Sequence, residues 1–451
     1  MRINKIEIKN FRGFAERCFN FDPKMNVVLG NNATGKTTLL HAVQIALGAY
    51  LQSLTLISKN LPQQFRRGFS QNDNVKVYNE SNKTFLAIKE KPSIEIYTEF
   101  VEGIFKKNSK EYQSITTNVH WIRNGNTISQ KNTGELMGIV EKLEDIRRSA
   151  DSTGEISVLP LILTFGAKRL QNNYNGAQKT KARASREERA YKCALDEHVD
   201  FRSVFDWIYS FDRNMAKEME FEGTDVAFFN AIKTGIPTIK QVYVNTKNEE
   251  FHAQIQATED SELQWLTYDM MSDGFQAMIN IVAEIAYRCI MLNGFLGIDA
   301  VKKTPGIVMI DEMDLYLHPL WQRHVLQDFQ NAFPNIQFIV TTHSPFIVQS
   351  VDTKNVITLD SKLSPISPSN RGIEEIMSVE MGLDEDIANR SEKYRKKYEL
   401  AGKYYQLIKD GQAGSIEVND VKKALNDLEL EAKMFDDPAF EAALRLKRGD
   451  L

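Results

Sequence analysis

The sequence has 451 residues, enough for about three domain-sized units at roughly 150 residues each. Charged residues make up 26% of the chain and hydrophobic residues 42%, so a sizeable core can form and wholesale disorder is excluded. The net charge of -4, from 60 acidic and 56 basic residues, excludes a generally cationic protein but leaves room for a local basic face.

Cysteine usage and hydropathy argue against secretion and membrane embedding. Cys18, Cys193 and Cys289 are far apart in the sequence, so neither a disulfide framework nor a C-x-x-C zinc site is predicted. Residues 1–11 lack the apolar segment of a signal peptide. The most apolar stretch, residues 278–296, is interrupted by charged and amide side chains, so we expect no membrane span. The sequence therefore predicts a cytoplasmic protein with reduced thiols.

The first elements along the chain form a strand, loop and helix pattern. Residues 3–8 alternate apolar and polar side chains, which predicts a half-buried strand. Residues 25–29 (MNVVL) predict a short buried strand that leads into glycine, and residues 37–46 have helical spacing. Residues 51–84 are polar without a clear period and are interpreted as an insertion. Residues 85–122 alternate again and predict antiparallel strands.

The second half of the chain adds further strands and a helical segment. Residues 158–164, 306–310 and 336–340 are apolar runs that predict buried strands. Residues 187–232 predict helices, and a Ser/Pro-rich linker beyond residue 360 leads into a charged helical tail. Parallel-type strands combined with an antiparallel portion and a helical insertion predict an α/β fold.

A phosphate-binding loop is predicted where the first buried strand meets the first helix. GNNATGKT at residues 30–37 fits G-x-x-x-x-G-K-[ST] in this context. Backbone N–H groups of such a loop surround phosphates at a helix N-terminus, while Lys36 reaches the β- and γ-phosphates and the Thr37 hydroxyl ligates Mg²⁺. The sequence therefore predicts a nucleotide with β- and γ-phosphates, bound together with Mg²⁺. The predicted nucleotide-binding residues in this loop are Gly30, Asn31, Asn32, Ala33, Thr34, Gly35, Lys36, Thr37 and Thr38.

Two later motifs supply candidate catalytic groups. GIVMIDE at residues 306–312 is an apolar strand that ends in Asp311, which we expect to hold Mg²⁺ directly or through water. Glu312 follows, where it can polarise an attacking water. His343, in TTHSPF, follows the next strand and lies where ligands bind in parallel sheets. We expect His343 to contact the γ-phosphate or the attacking water.

Together these motifs resemble those of the ABC-type ATPases of the RecF, SMC, Rad50 and overcoming-lysogenization-defect (OLD) group. MSDGFQ at residues 271–276 is similar to the signature loop of that group, which implies that Ser272 and Gly274 face the γ-phosphate bound by the other subunit. DLYLHP at residues 314–319 is similar to the dimer-contacting loop. NFRGF at residues 10–14 implies that Arg12 lies near the nucleotide phosphates. The resemblance implies a P-loop ATPase head with a mixed sheet and a head-to-head homodimer around two ATP molecules.

The resemblance divides the chain into four parts. We expect an N-terminal ATPase lobe at residues 1–168, a helical lobe at 169–260, a C-terminal ATPase lobe at 261–360 and a helical partner-binding tail at 361–451. The glutamine loop of the group is unclear in this chain. Gln171 is the nearest candidate, and an exposed loop residue is the alternative.

The branch of the group is indicated by what the chain lacks. MSDGFQ replaces the LSGGQ of transporter ATPases, and no long heptad repeat is present. The tail lacks the separated carboxylates on strands that two-metal DNA cleavage needs. Its last residues, DDPAFEAALRLKRGD, resemble those of the PtuA ATPases of Septu antiphage systems and related retrons. This resemblance implies a homodimer or higher homo-oligomer that controls a separate HNH nuclease partner of the PtuB type.

A basic stretch at residues 168–189 is a candidate DNA contact, because clustered cations neutralise phosphates. The alternative is a solvated charged helix, since Glu187 and Glu188 lie within the stretch. Two other functions stay open: a RecF-like repair ATPase and a non-hydrolysing ATP-binding scaffold. The candidate nucleic-acid contacts are Lys168, Arg169, Lys181, Arg183 and Arg186.

Overall fold

The computed structural model describes residues 1–31, 34–55, 67–79, 84–87, 90–167, 169, 185–197, 201–216, 220–256, 261–359, 367–373, 376, 377, 400, 403, 420 and 423. The chain divides into two units, Met1–Gly382 and Leu383–Leu451. The second unit therefore begins later than the predicted boundary at residue 361, and the predicted helical tail lies almost wholly outside the described residues.

The strands are β1 (Arg2–Phe11), β2 (Phe14–Asn20), β3 (Met25–Leu29), β4 (Lys76–Asn79), β5 (Thr84–Ala87), β6 (Ser93–Lys106), β7 (Glu111–Arg123), β8 (Glu155–Val158), β9 (Leu161–Phe165), β10 (Ile239–Asn245), β11 (Glu250–Ile255), β12 (Gln264–Thr267), β13 (Gly306–Ile310), β14 (Ile336–Thr341) and β15 (Val356–Thr358). The α-helices are α1 (Lys36–Ser53), α2 (Gln130–Arg148), α3 (Ala150–Thr153), α4 (Arg186–Tyr191), α5 (Arg202–Tyr209), α6 (Phe211–Met215), α7 (Thr224–Gly235), α8 (Asp273–Asn293), α9 (Ala300–Lys303), α10 (Pro319–Gln322), α11 (Val325–Ala332) and α12 (Pro345–Gln349).

A five-stranded parallel sheet, in the order β15-β3-β14-β13-β9, lies at the centre of the first unit. The strands β3, β9, β13 and β14 are buried along their whole length, because apolar runs without alternation suit a sheet covered on both faces. The register pairs Ile310 with Val340 on one side and with Phe165 on the other. Residues that follow these three strands therefore emerge together at one edge of the sheet.

An antiparallel sheet completes the mixed architecture, with the order β2-β1-β6-β7 and β8 paired to β6. The alternation predicted for residues 3–8 is confirmed, since Ile3, Ile6 and Ile8 are buried. Helix α1 packs against this sheet, and the indole N–H of Trp121 on β7 donates a hydrogen bond to the carbonyl of Ala46 at 2.9 Å. The predicted α/β class, with a mixed architecture that includes an antiparallel portion, is confirmed.

Helix α8 is the main core helix, and its polar residues have partners inside the fold. Arg288 donates to Glu284 at 2.6 Å, and both side chains are almost fully buried. Asn293 donates to the carbonyl of Leu159 and to the hydroxyl of Thr304. The stretch Asp273–Lys303 is long and apolar enough to cross a membrane by length and composition alone. Because 83% of its most apolar window is buried inside the protein, the stretch has the surroundings of a core helix.

The predicted helical lobe at residues 169–260 is only partly helical. The helices α4, α5, α6 and α7 lie in it, but β10 and β11 also lie there and form a three-stranded antiparallel sheet with β12. Along β11, EFHAQI buries every second residue, with Phe251, Ala253 and Ile255 turned to the core. The helices predicted within residues 187–232 are present in the described part of that range, but β10 and β11 were not predicted, because their short period of two follows helical patterns.

Candidate nucleotide site

The phosphate-binding loop is shaped by a glycine and by an aromatic ring from the NFRGF segment. Gly35, directly before α1, has a φ of 111°, a conformation that L side chains rarely adopt. A Cβ at Gly35 would lie 2.7 Å from Cζ of Phe14. The Phe14 ring therefore packs directly on the loop and leaves room only for glycine.

Lys36 opens helix α1 and is held against the loop. Its ammonium donates to the carbonyls of Gly30 at 2.6 Å and Asn31 at 3.1 Å, and the side chain is buried. The Thr34 hydroxyl also donates to the carbonyl of Asn31. A lysine at the N-terminus of a long helix offers positive charge where the helix dipole already favours an anion. Asn32 and Ala33 lie outside the described residues, and Thr38 is half-buried in the first helical turn.

The two predicted magnesium ligands meet across the site. The hydroxyl of Thr37 donates to Oδ2 of Asp311 at 3.2 Å, although 274 residues separate them in sequence. Oδ1 of Asp311 accepts a hydrogen bond from the hydroxyl of Thr341 at the end of β14. A hydroxyl beside a carboxylate is the hard oxygen chemistry that Mg²⁺ prefers. The residues present therefore fit the predicted ion.

Glu312 lies next to this pair in a constrained conformation. Its φ of 50° is in the left-handed region, which costs a non-glycine residue about 1 kcal/mol or more. The backbone N–H of Glu312 donates to the hydroxyl of Thr341 at 2.8 Å, and Met313 N–H donates to the carbonyl of Thr341. Strand β14 thus supports the constrained backbone of Glu312, whose side chain is half-buried.

His343 is held by its backbone and exposes its ring. Oδ1 of Asp314 accepts hydrogen bonds from the hydroxyl of Thr342 and from the N–H of His343 at 3.1 Å. The next residue, Ser344, caps α12 by accepting from Phe346 N–H. The chain therefore presents the His343 side chain to solvent at the sheet edge that also carries Asp311.

The signature-like segment packs on the DLYLHP loop. Ser272 is the exposed residue before α8, and a Cβ at Gly274 would lie 2.7 Å from the carbonyl oxygen of Tyr316. The rings of Phe275 and Trp321 meet edge to face at 4.4 Å between centroids. The two segments thus form one surface. Three large apolar side chains in or next to these two segments are exposed: Met270 at 69%, Tyr316 at 41% and Leu320 at 58%.

Arg12 is fastened to the turn at Gln71–Asp73, inside the predicted insertion. Its Nε donates to Oδ1 of Asp73 at 2.7 Å, and its backbone N–H donates to the Asp73 carbonyl at 2.9 Å. Burial raises the pKa of the Asp73 carboxyl, but hydrogen bonds from Ser70 and Arg12 outweigh it and hold the pKa below its ordinary value. A phosphate contact of Arg12 stays a prediction.

Two of the predicted nucleic-acid contacts have other partners in the fold. Arg169 is 4% exposed, and its guanidinium donates to the backbone carbonyls of Asp311 and Glu312. Arg186 is half-buried, pairs with Glu220 at 2.8 Å and donates to the Ile290 carbonyl in the last turn of α8. The buried guanidinium of Arg169 is not open to a nucleic acid in this structure, so that prediction is corrected. A nucleic-acid contact of the half-buried Arg186 stays a prediction. Lys168, Gln171, Lys181 and Arg183 lie outside the described residues.

Sequence reasoning missed several supporting residues. Thr341 lies in the TTHSPF motif and Asp314 in the DLYLHP motif. Their polar side chains inside these motifs could therefore have been predicted to support the site residues. Asp73 carried no local signal, because its partner lies 61 positions earlier in the chain.

Comparisons with known proteins agree with this geometry. A family model described as an AAA domain (AAA_23) matches residues 5–261. The chain is 23% identical over 471 residues to the "Retron Vc95 probable ATPase" of Vibrio cholerae serotype O1 biovar El Tor, which covers 94% of this chain and 86% of that protein. It is also 23% identical over 446 residues to the "Septu protein PtuA" of Bacillus mycoides (strain KBAB4), which covers 94% of this chain and 50% of that protein.

Among solved structures, the "SmcHead bound to the C-winged helix domain of ScpA" aligns with a TM-score of 0.42 and 16% identity. The alignment covers 79% of this chain and 94% of that chain.

Proposed function

The chain belongs to the AAA-domain family, and from that premise we propose that it binds and hydrolyses ATP with Mg²⁺. One observation carries the proposal. The hydroxyl of Thr37 and the carboxylate of Asp311 are 3.2 Å apart, and Glu312 is the next residue along the chain. This supports a site in which a magnesium-binding pair adjoins a candidate base.

In this proposal the chain's own residues have separate roles. The backbone of residues 30–38 and the Lys36 ammonium bind the phosphates, and Arg12 approaches them from the NFRGF turn. Thr37 and Asp311 hold Mg²⁺, which when bound neutralises charge on the β- and γ-phosphates. Glu312 orients and polarises the attacking water, and His343 contacts the γ-phosphate or that water.

Three proteins test this proposal in one assay of ATP binding and turnover. Lys36→Ala removes the ammonium and is expected to abolish nucleotide binding. Glu312→Gln keeps the shape of the site but removes the carboxylate, so it is expected to bind ATP and turn it over at least about 100-fold more slowly. A wild-type protein that binds ATP but turns it over no faster than Glu312→Gln would instead be a non-hydrolysing scaffold.

We also propose that two copies associate head to head around ATP, with Ser272 and Gly274 of one copy facing the γ-phosphate held by the other. The exposed Met270, Tyr316 and Leu320 beside Ser272 support this idea, because clustered exposed apolar side chains are typical of interaction surfaces. The Glu312→Gln variant is expected to bind ATP and turn it over slowly, so it should keep the ATP-bound state. Its molecular mass in solution should therefore double, from monomer to dimer, when ATP is added. Ser272→Arg in that background should stay monomeric, whereas Ser109→Arg in the β6–β7 turn should still dimerise.

The names of the relatives suggest the setting of the activity. One is called a retron ATPase and another a Septu protein PtuA. We propose that the chain is the ATPase subunit of a cytoplasmic antiviral defence complex, in which it controls a separate HNH nuclease that cuts DNA. Expression with its neighbouring genes, followed by purification and mass determination, tests this. A co-purifying HNH nuclease is expected, and a complex without any nuclease would favour a RecF-like repair role.

A further inference from the structure

Arg169 is a buried cation that binds the backbone of the catalytic segment. Nη1 donates to the carbonyl of Asp311 at 2.8 Å and to that of Gly166 at 3.4 Å. Nη2 donates to the carbonyl of Glu312 at 3.0 Å and to that of Leu315 at 3.3 Å. One guanidinium thus spans the residues that carry the proposed magnesium ligand, the proposed base and the start of the DLYLHP loop.

The segment that carries Arg169 is itself fixed at a junction of elements. Phe165, at the end of β9, accepts a hydrogen bond from Asp311 N–H at 2.8 Å. Gly166 N–H donates to the carbonyl of Glu197, and the carboxylate of Glu197 contacts Nε2 of His41 on α1 at 2.5 Å. The junction therefore joins the phosphate-binding helix, the segment before α5 and the catalytic strand end.

The charge of Arg169 matches its surroundings. Burial lowers the pKa of the guanidinium, while the nearby Tyr316, Asp314, Glu312 and Asp311 act in the opposite direction. The guanidinium donates to carbonyl oxygens of Gly166, Asp311, Glu312 and Leu315. The planar fork of an arginine can satisfy such acceptors together. A lysine has one nitrogen and cannot span acceptors on Asp311, Glu312 and Leu315 at once.

We propose that Arg169 is a positioning residue for ATP hydrolysis. Its fork holds Glu312 in the left-handed conformation and ties that conformation to the DLYLHP loop. This inference rests on the proposed ATPase function. Arg169 acts through the backbone of Glu312 and does not touch the phosphates, so it sets the rate of the chemical step and not the affinity for nucleotide.

The test compares Arg169→Lys and Arg169→Met with a matched control, Arg123→Lys. Arg123 is also buried, at 1% exposure, but its guanidinium donates to the side chain of Gln52, near the C-terminal end of α1, and to the carbonyl of Asn126. Both Arg169 variants should lose about 10- to 100-fold in kcat, since small misplacements of a catalytic group have effects of this size. Their Kd for an ATP analogue should stay within about threefold of wild type. Arg123→Lys should keep wild-type kcat.

Three outcomes would overturn the inference. One is an unchanged kcat in both Arg169 variants. Another is a rise in Kd that matches the loss in kcat, which indicates a general structural role. The third is full activity in Arg169→Lys with loss only in Arg169→Met, because then charge alone suffices. Thermal unfolding of each variant identifies any that fail to fold, and Arg169→Lys is the variant that decides.

Hydrogen exchange separates this inference from the proposed function. The N–H groups of Asp311, Glu312 and Met313 are all hydrogen-bonded, so a peptide spanning them reports the order of the segment. If wild type turns over no ATP, the proposed function fails. Faster exchange in Arg169→Lys than in Arg123→Lys would still support the positioning role, and equal exchange would overturn it.

Discussion

Replacing Gly274 with alanine tests the contact between the signature-like segment and the DLYLHP loop. The new Cβ would lie 2.7 Å from the carbonyl oxygen of Tyr316, whereas a carbon approaches a carbonyl oxygen at about 3.3 Å or more. Either the start of α8 or the backbone of Tyr316 must therefore move by roughly 0.6 Å. Tyr316 has a φ of 70°, so its backbone has little freedom to yield.

The size of the effect follows from two opposing terms. Alanine inside a helix is favoured over glycine by about 0.5–1 kcal/mol, and Gly274 lies in the first turn of α8. Overpacking against rigid neighbours costs about 1–3 kcal/mol. The variant should therefore lose between nothing and roughly 2.5 kcal/mol in the free energy of unfolding. ATP-dependent dimerisation should weaken because the loop surface has moved.

Gly138→Ala in α2 is the matched control, because a Cβ there meets nothing within 4 Å. Its free energy of unfolding should rise by about 0.5–1 kcal/mol, because alanine restricts the unfolded chain and favours the helix more than glycine does. Urea unfolding of both variants, with equal m-values, measures the difference. If Gly274→Ala stabilises the protein as much as Gly138→Ala does, then α8 does not pack closely on the DLYLHP loop at Gly274.

Three further predictions concern groups outside the phosphate-binding loop. Cys18 is exposed, whereas Cys289 is buried and burial raises the pKa of its thiol. Iodoacetamide at pH 8 should therefore alkylate Cys18 and spare Cys289 until denaturant is added. Equal labelling of the two cysteines, measured by mass spectrometry, would contradict the burial of Cys289. The lowered pKa of Asp73 stabilises the fold above the unfolded value of about 3.9, and this contribution is lost as pH falls through the folded pKa. Asp73→Asn should therefore be less stable than wild type at pH 6, with the difference shrinking below about pH 4 in urea titrations; a difference that does not depend on pH would argue against an ionised Asp73. Arg288→Leu should lower the free energy of unfolding by about 3–5 kcal/mol, because it leaves the carboxylate of Glu284 buried without the Arg288 guanidinium. The double variant Arg288→Leu/Glu284→Leu should recover much of that loss. If the two single losses simply add in the double variant, the residues are not coupled.

The elements that sequence predicted well are those with strong local patterns. Buried strands β3, β13 and β14 are apolar runs bounded by turns, and their boundaries agree with the predicted ones to within a residue. The approach of Thr37 to Asp311 followed from the motifs, because the ends of parallel strands share an edge of the sheet.

The features that sequence did not predict depend on tertiary contacts. Arg169 lies in a polar, cationic stretch that indicates a surface, yet three of the carbonyls that accept from it, those of Asp311, Glu312 and Leu315, lie 142 or more positions later. A carbonyl acceptor leaves no trace in the residue type, so no pattern could have placed Arg169. The sheet of β10, β11 and β12 was missed because its strands are short and follow helical segments.

ATP turnover by the purified protein in the presence of Mg²⁺ tests the central claim most directly, with Glu312→Gln measured alongside. The proposal predicts that both proteins bind ATP, that wild type releases phosphate over many turnovers, and that Glu312→Gln is slower by at least about 100-fold. Equal release by the two proteins would contradict the role of Glu312 and, with it, the assignment of the site as a hydrolytic one.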